Sequence, residues 1–220
     1  MNKKEIAAKK ACEYVKAGML LGLGTGSTVY YFIEEIGRLV KEGLDIKCVA
    51  TSIESENHAK RLNIPILSID DVTYLDLDVD GADEVDSNFN AIKGGGGALF
   101  REKIIANISK KVIFIVDDSK VVDKLGVFPL PVEIAKFGYK QTIMKLQDYN
   151  PVLRTKDNVP FITDNGNYII DLHLGKGFNI EEVNNKLNNT IGVFENGLFL
   201  NMCSKVIVGT DNGVKVIKKD

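Results

Sequence analysis

Four glycines stand in a row at Gly94 to Gly97, between Lys93 and the segment Ala98-Leu99-Phe100-Arg101-Glu102-Lys103. A helix or strand tolerates such a run poorly, because glycine loses more backbone freedom on folding than any other residue. The run makes sense where the backbone itself approaches a ligand. Ala98 to Ser109, directly after it, reads as a helix. A glycine loop feeding a helix start offers unpaired N–H groups and the positive end of a dipole. At 100° per residue, Ala98, Leu99, Ile105 and Ala106 fall within roughly 60° of Glu102, and Arg101 and Lys103 about 100° to either side. Glu102 thus shares the apolar stripe. Partial desolvation there would raise its pKa and make it a useful base near neutrality. The competing reading is a surface glutamate paired with a neighbouring Lys or Arg, and phasing alone does not choose between them. Lys93, just before the amide-rich loop, could stabilise a developing oxyanion.

The 220 residues are enough for one large domain or for a medium and a small one. With 45% hydrophobic residues, 26% charged residues and a net charge of -2, the chain has neither the basic excess of a nucleic-acid binder nor the composition of a disordered one. No stretch reaches membrane-spanning length, and Met1 to Gly18 reads as a charged amphipathic helix rather than a secretory signal. Cys12, Cys48 and Cys203 are scattered, as expected of reduced thiols in a cytoplasmic protein. His58 and His173 are too few and too far apart for a histidine metal site. We expect no nucleic-acid or membrane partner.

Strand-like and helix-like segments alternate through the first part: strands at Met19–Leu23, Ile46–Ala50, Leu75–Val79 and Lys111–Val116, helices at Thr28–Val40 and Glu54–Leu62, and an extended stretch at Ile64–Ile69. This predicts an α/β fold, a Rossmann-like, mostly parallel sheet with helices on both faces. Past Phe128-Pro129-Leu130-Pro131 the order becomes strand (Val132–Ala135), helix (Tyr139–Gln147), strand (Pro151–Arg154), strand (Tyr168–His173), helix (Ile180–Leu187) and strand (Gly192–Phe199). That βαββαβ order predicts a smaller ferredoxin-like α+β domain. Asn212-Gly213 between apolar runs signals a terminal hairpin, expected to rejoin the first domain. The expected division is 1–130 with 200–220 as the catalytic domain and 131–199 as the small one.

Gly22-Leu23-Gly24-Thr25-Gly26-Ser27-Thr28 joins a strand to a helix, where amides and hydroxyls could hold an anion. Ser27 breaks the dinucleotide fingerprint, and no lysine completes a nucleotide-hydrolase phosphate loop, so a small phosphate is the better ligand. The ordinary alternative is a tight turn with a helix cap. Asp76-Leu77-Asp78-Val79-Asp80-Gly81-Ala82-Asp83 puts Asp76, Asp78 and Asp80 on one strand face. Asp80 and Asp83, at the strand's C-terminal end, are favoured as functional. Asp76 and Asp78 are expected on a solvated face. A calcium loop would need an acid where Ser87 stands.

Together these motifs resemble type A ribose-5-phosphate isomerase. The match comprises Gly24-Thr25-Gly26-Ser27-Thr28, Asp80-Gly81-Ala82-Asp83-Glu84, Lys93-Gly94-Gly95-Gly96, Arg101-Glu102-Lys103 and Asp118-Ser119-Lys120. It continues through Phe128 to Glu133, Thr163-Asp164-Asn165-Gly166-Asn167 and Gly209 to Lys215, nearly the whole chain in the family's order. The resemblance implies interconversion of ribose 5-phosphate and ribulose 5-phosphate with no metal and no organic cofactor. It implies Glu102 as the base of a cis-enediolate mechanism, and Asp80 and Asp83 as contacts to sugar hydroxyls. Lys93 with Gly94, Gly95 and Gly96 would surround the reacting oxygens, next to Gly81 and Ala82. Thr25, Gly26, Ser27, Thr28 and Lys120 would hold the sugar phosphate, and Lys4 would correspond to a phosphate-contacting lysine. A homodimer or homotetramer is implied, with the small domain at the interface. Gly97, often alanine in the family, is expected only to loosen the helix start.

Two rivals are a non-catalytic sugar-phosphate sensor and an acyl-transfer enzyme using Glu102 as nucleophile. A sensor would be expected to carry a DNA-binding helix-turn-helix, for which the short N-terminal segment leaves no room, and would not need Glu102. The complete isomerase motifs weigh against acyl transfer.

Overall fold

A computed structural model describes residues 2–219. Its first part runs α1 (Lys3–Cys12), β1 (Leu20–Leu23), α2 (Ser27–Lys41), β2 (Lys47–Ala50), α3 (Ile53–Arg61), β3 (Leu77–Asp80), β4 (Glu84–Val85), β5 (Ala91–Ile92), α4 (Leu99–Ile108) and β6 (Val112–Asp117). Then follow β7 (Leu130–Ile134), α5 (Tyr139–Lys145), β8 (Pro151–Leu153), β9 (Thr155–Lys156), β10 (Val159–Pro160), β11 (Tyr168–Leu172), α6 (Ile180–Asn188), β12 (Val193–Asn196), β13 (Leu198–Phe199), β14 (Lys205–Thr210) and β15 (Gly213–Lys218).

A six-stranded sheet has the order β15-β14-β6-β3-β1-β2, parallel except for the edge strand β15. Alternation in β6 sends Ile113 and Ile115 to one face and Val112, Phe114 and Val116 to the other. The first pair joins the core beneath α1 and α2, with Leu21, Leu23, Val79, Phe32 and Ile36. The second set packs with Ala106 of α4 and with Phe199, Val85 and Ala91 from a three-stranded sheet, β13-β5-β4. Both faces are therefore covered, as the βα alternation predicts.

The second sheet is antiparallel, β12-β7-β11-β8, with α5 and α6 supplying Leu187, Val183 and Ile143 to its core. Numbered in chain order these strands lie 4-1-3-2, the ferredoxin-like arrangement. Two expectations change. The extended stretch at Ile64–Ile69 reduces to a single bridge, Ile66 to Cys48. The strand expected at Gly192–Phe199 breaks at Gly197: β12 stays in the small sheet, whereas β13 pairs with β5. Gly197 itself donates its N–H to Pro131 O at 2.8 Å and accepts from Lys93 N at 2.9 Å, so the break joins the two sheets beside the glycine loop.

Candidate active site

The C-terminal ends of β1, β3 and β6 open onto a cavity of about 150 Å3. It is lined by Lys4, Thr25 to Thr28, Gly81 to Asp83, Lys93 to Gly96, Glu102, Asp117 and Lys120. A broader cleft of about 710 Å3 adjoins it, sharing Lys4, Gly26, Ser27 and Asp117. The sequence motifs from four separate stretches thus meet in one place, outside the carboxyl ends of parallel strands.

One end of the cavity is the start of α2. Here Gly26 is the N-cap and no side chain caps the first turn, whereas α1, α3 and α6 are capped by Asn2, Ser52 and Asn179. No acid sits in that turn either. Its amides and positive dipole end face the cavity undischarged, the arrangement that holds a phosphate. Lys4 Nζ donates to Ser27 Oγ at 2.9 Å, which brings a cation to the same turn. Thr25 is committed elsewhere. Its N–H donates to Asp80 Oδ1 at 3.0 Å, and its hydroxyl lies 2.7 Å from Thr51 Oγ1 and donates to Ser52 Oγ at 2.8 Å.

At the other end, Glu102 faces inward in the first turn of α4 with Leu99, Ile105 and Ala106, so helical phasing chose the correct face. The surface-pair alternative is excluded: Glu102 is 4% exposed and its Oε2 has no hydrogen-bond partner. Its Oε1 lies 3.4 Å from Lys93 Nζ. That ammonium, 2% exposed, also lies 3.0 Å from Asp80 Oδ2 and donates to Gly81 O at 2.6 Å. Burial pushes the Glu102 carboxyl up to about 8; Lys93 pulls it down, and Asp80 and Asp83 add to the rise. Burial alone would lower the Lys93 pKa, but the Asp80 and Glu102 carboxylates outweigh it and raise it. The lysine therefore stays charged between two acids. Asp83 lines the cavity and accepts from Gly95 N at 2.8 Å.

Three expectations are revised. Asp80 is fully buried and lies beneath the cavity floor, accepting from Thr25 N and Gly81 N. Only a glycine fits above it, because a Cβ on Gly24 would stand 2.1 Å from Asp80 Oδ1. Asp78 is not on a solvated face. It is 0% exposed, both its carboxylate oxygens lack partners, and burial together with Asp80 pushes its pKa well above the usual carboxylate range. The third is Gly97: it has φ +85, and a Cβ there would meet the Phe161 ring at 2.5 Å, so this glycine seats an aromatic side chain. Asp76 is half-buried and ion-paired with Lys110 at 2.8 Å.

Sequence reasoning did not single out Asp117 or Arg154. Asp117 ends β6 beside the cavity, and the rule placing ligands at strand C-termini could have found it. Arg154 donates to the carbonyls of Gly94 and Gly95 from the small sheet, and no local pattern announces it. Among the described residues no group of three or more His, Cys, Asp or Glu could hold a metal ion, and no helix is long and apolar enough to cross a membrane.

The family model for Ribose 5-phosphate isomerase A (phosphoriboisomerase A) matches residues 47–213. The chain is 51% identical over 218 residues to Ribose-5-phosphate isomerase A of Bacillus mycoides, covering 98% of this chain and 99% of that one. It is also 51% identical over 220 residues to the Streptococcus sanguinis protein of that name, covering 99% and 98%. Among solved structures, a D-ribose-5-phosphate isomerase in complex with phospho-erythronic acid superposes with a TM-score of 0.95 at 42% identity over all of both chains. Ribose 5-phosphate isomerase A from Methanocaldococcus jannaschii gives 0.93 at 40% identity over 99% of each.

Proposed function

The chain belongs to the ribose 5-phosphate isomerase A family, and we propose that it interconverts D-ribose 5-phosphate and D-ribulose 5-phosphate through a cis-enediolate. The observation that carries the mechanism is Glu102: a buried carboxylate with one unpartnered oxygen, opposite an uncapped helix start.

The phosphate binds the first-turn amides of α2 with Gly26, Ser27, Thr28, Lys4 and Lys120, away from the Asp80, Asp83 and Glu102 carboxyls. In the open-chain aldose, Glu102 takes the C2 proton. The C–H electrons form the C1=C2 bond, and the carbonyl electrons move to O1. The Gly96 amide, which no acceptor among the described residues takes, and the Lys93 ammonium stabilise that oxyanion. Asp83 moves the hydroxyl proton between O2 and O1, and Asp80 supports it from below through Lys93 and the Gly81 amide. Glu102 then returns its proton to C1 as the C2 carbonyl forms. One carboxylate serves both carbons because they are adjacent. A base pKa near the working pH suits both halves of this transfer.

We also assign 1–130 with 200–220 as the catalytic domain and 131–199 as a smaller one, except that Leu198 and Phe199 of β13 pair with β5 of the catalytic domain, in a cytoplasmic homodimer or homotetramer. Exposed Phe137, Met144 and Ile191 on the small domain support an interface there, which sedimentation would test.

A coupled assay for ribulose 5-phosphate tests the function. Purified wild type should isomerise, and Glu102→Gln should lose about 10³-fold in kcat, within the range of general-base catalysis. An inactive wild type would sink the reading; near-normal kcat in the variant would sink only the base assignment.

A further inference from the structure

The glycine loop is held from outside its own domain. Arg154 follows β8, and its Nη1 donates to Gly94 O at 2.8 Å and Gly95 O at 3.1 Å. Asp171 of β11 accepts from its Nε at 2.9 Å and also from Nη2. The guanidinium lies 5.9 Å from the Phe161 ring, which itself rests on Gly97. Arginine's rigid, planar fork can meet a carboxylate on one edge and carbonyls on another, which a lysine ammonium cannot reproduce.

The consequence lies in the peptide planes. In a trans peptide the C=O and N–H point in opposite directions, and this chain has no cis bonds among the described residues. Anchoring Gly94 O therefore sends the Gly95 N–H the other way, where Asp83 accepts it at 2.8 Å. Anchoring Gly95 O sends the Gly96 N–H toward the cavity that Gly96 lines, and no acceptor among the described residues takes it. A cation on the two carbonyls also polarises both amides toward whatever they face.

We propose that Arg154, locked by Asp171, is a positioning residue that seats the Gly95 amide on Asp83 and aims the Gly96 amide at the reacting oxygens. It rests on the isomerase reading above. The small sheet then contributes to the chemical step without touching the substrate.

The test compares wild type with Arg154→Ala, Arg154→Lys and Asp171→Asn in the ribulose 5-phosphate assay, with circular dichroism and melting curves on each. Arg154→Ala should lose about 100-fold in kcat, near the cost of one oxyanion donor, with KM within about 3-fold because the phosphate end is untouched. Arg154→Lys and Asp171→Asn should each lose about tenfold in kcat, since one keeps the charge without the fork and the other keeps the fork unlocked. Guanidinium chloride at low, non-denaturing concentration should raise kcat of folded Arg154→Ala and leave wild type and Glu102→Gln unchanged. Should Arg154→Ala not fold, the two conservative variants decide. The proposal is overturned if both conservative variants keep kcat within about twofold of wild type, if the loss falls on KM alone, or if guanidinium leaves a folded Arg154→Ala unimproved. Wild-type inactivity would instead refute the isomerase reading, so the two failures are distinguishable.

Discussion

The two ends of the cavity handle charge in opposite ways. At the start of α2, an open mouth presents amides, a hydroxyl and the Lys4 side chain, with little buried charge. At the start of α4, two acids are stripped of water and lie 3.0 and 3.4 Å from one buried lysine ammonium. The first end attracts an ion that arrives already solvated and leaves again. The second keeps ionisable groups in a place where each charge is tolerable only because of the others. Grip can therefore be screened by salt, whereas chemistry is insulated from it.

Removing the cation tests this contrast most severely. Lys93→Met leaves Asp80 and Glu102 buried without a counter-charge and should lower unfolding free energy by about 3–5 kcal/mol, read by urea denaturation. A variant as stable as wild type would mean that the cluster is wetter than its burial implies. Next comes pH. Glu102 must be deprotonated to act, and its folded pKa is about 8. kcat/KM should therefore climb about tenfold per pH unit below that value and level off above it. A flat profile from pH 6 to 9 would remove the desolvated base.

At the phosphate end, Ser27→Ala combined with Lys120→Met should raise KM about tenfold and leave kcat within about twofold, since a grip made equally in the ground and transition states is lost from binding alone. Raising ionic strength should mimic part of that rise in wild type and leave kcat alone. A kcat loss would show that the two ends are not separable. The smallest effect concerns Asp78, which faces Asp80 on its own strand, Lys93 and Cys203. Its folded pKa lies above its unfolded one, so the folded state binds the extra proton. Stability is fullest at low pH and falls as pH rises from the unfolded value. Asp78→Asn should flatten that fall. At pH 8 it should melt a few degrees above wild type, at about 2–4 °C per kcal/mol for a chain of this size. Parallel Tm–pH curves for the two proteins would refute it.

Local periodicity made much of this molecule readable. The 3.6-residue repeat turned Glu102 inward, and the glycine loops at Gly24 and Gly94 marked both ends of the cavity. Alternation in β3 correctly put Asp78 and Asp80 on one face, opposite Leu77 and Val79. It did not tell whether that face meets water or protein. The cover comes from α4 and from β13, a strand over 100 residues further along the chain whose departure from the small sheet leaves only a glycine as its trace. Arg154 was unreadable for the same reason: its partners lie in the glycine loop and on β11, and a lone arginine after a short strand looks like any other.

The chain crossing at Gly197 limits how this protein can be remodelled. Because Gly197 binds Pro131 of the small antiparallel sheet and Lys93 at the end of β5, the ferredoxin-like part cannot be trimmed away or exchanged as a cassette without unseating the loop that it braces. The tolerant place for an insertion is the exposed β9–β10 tip at Asp157 and Asn158, where both residues already adopt positive φ and neither sheet depends on the turn. Evolutionary change in domain architecture, and any engineered fusion, should accumulate at that tip and spare the crossing.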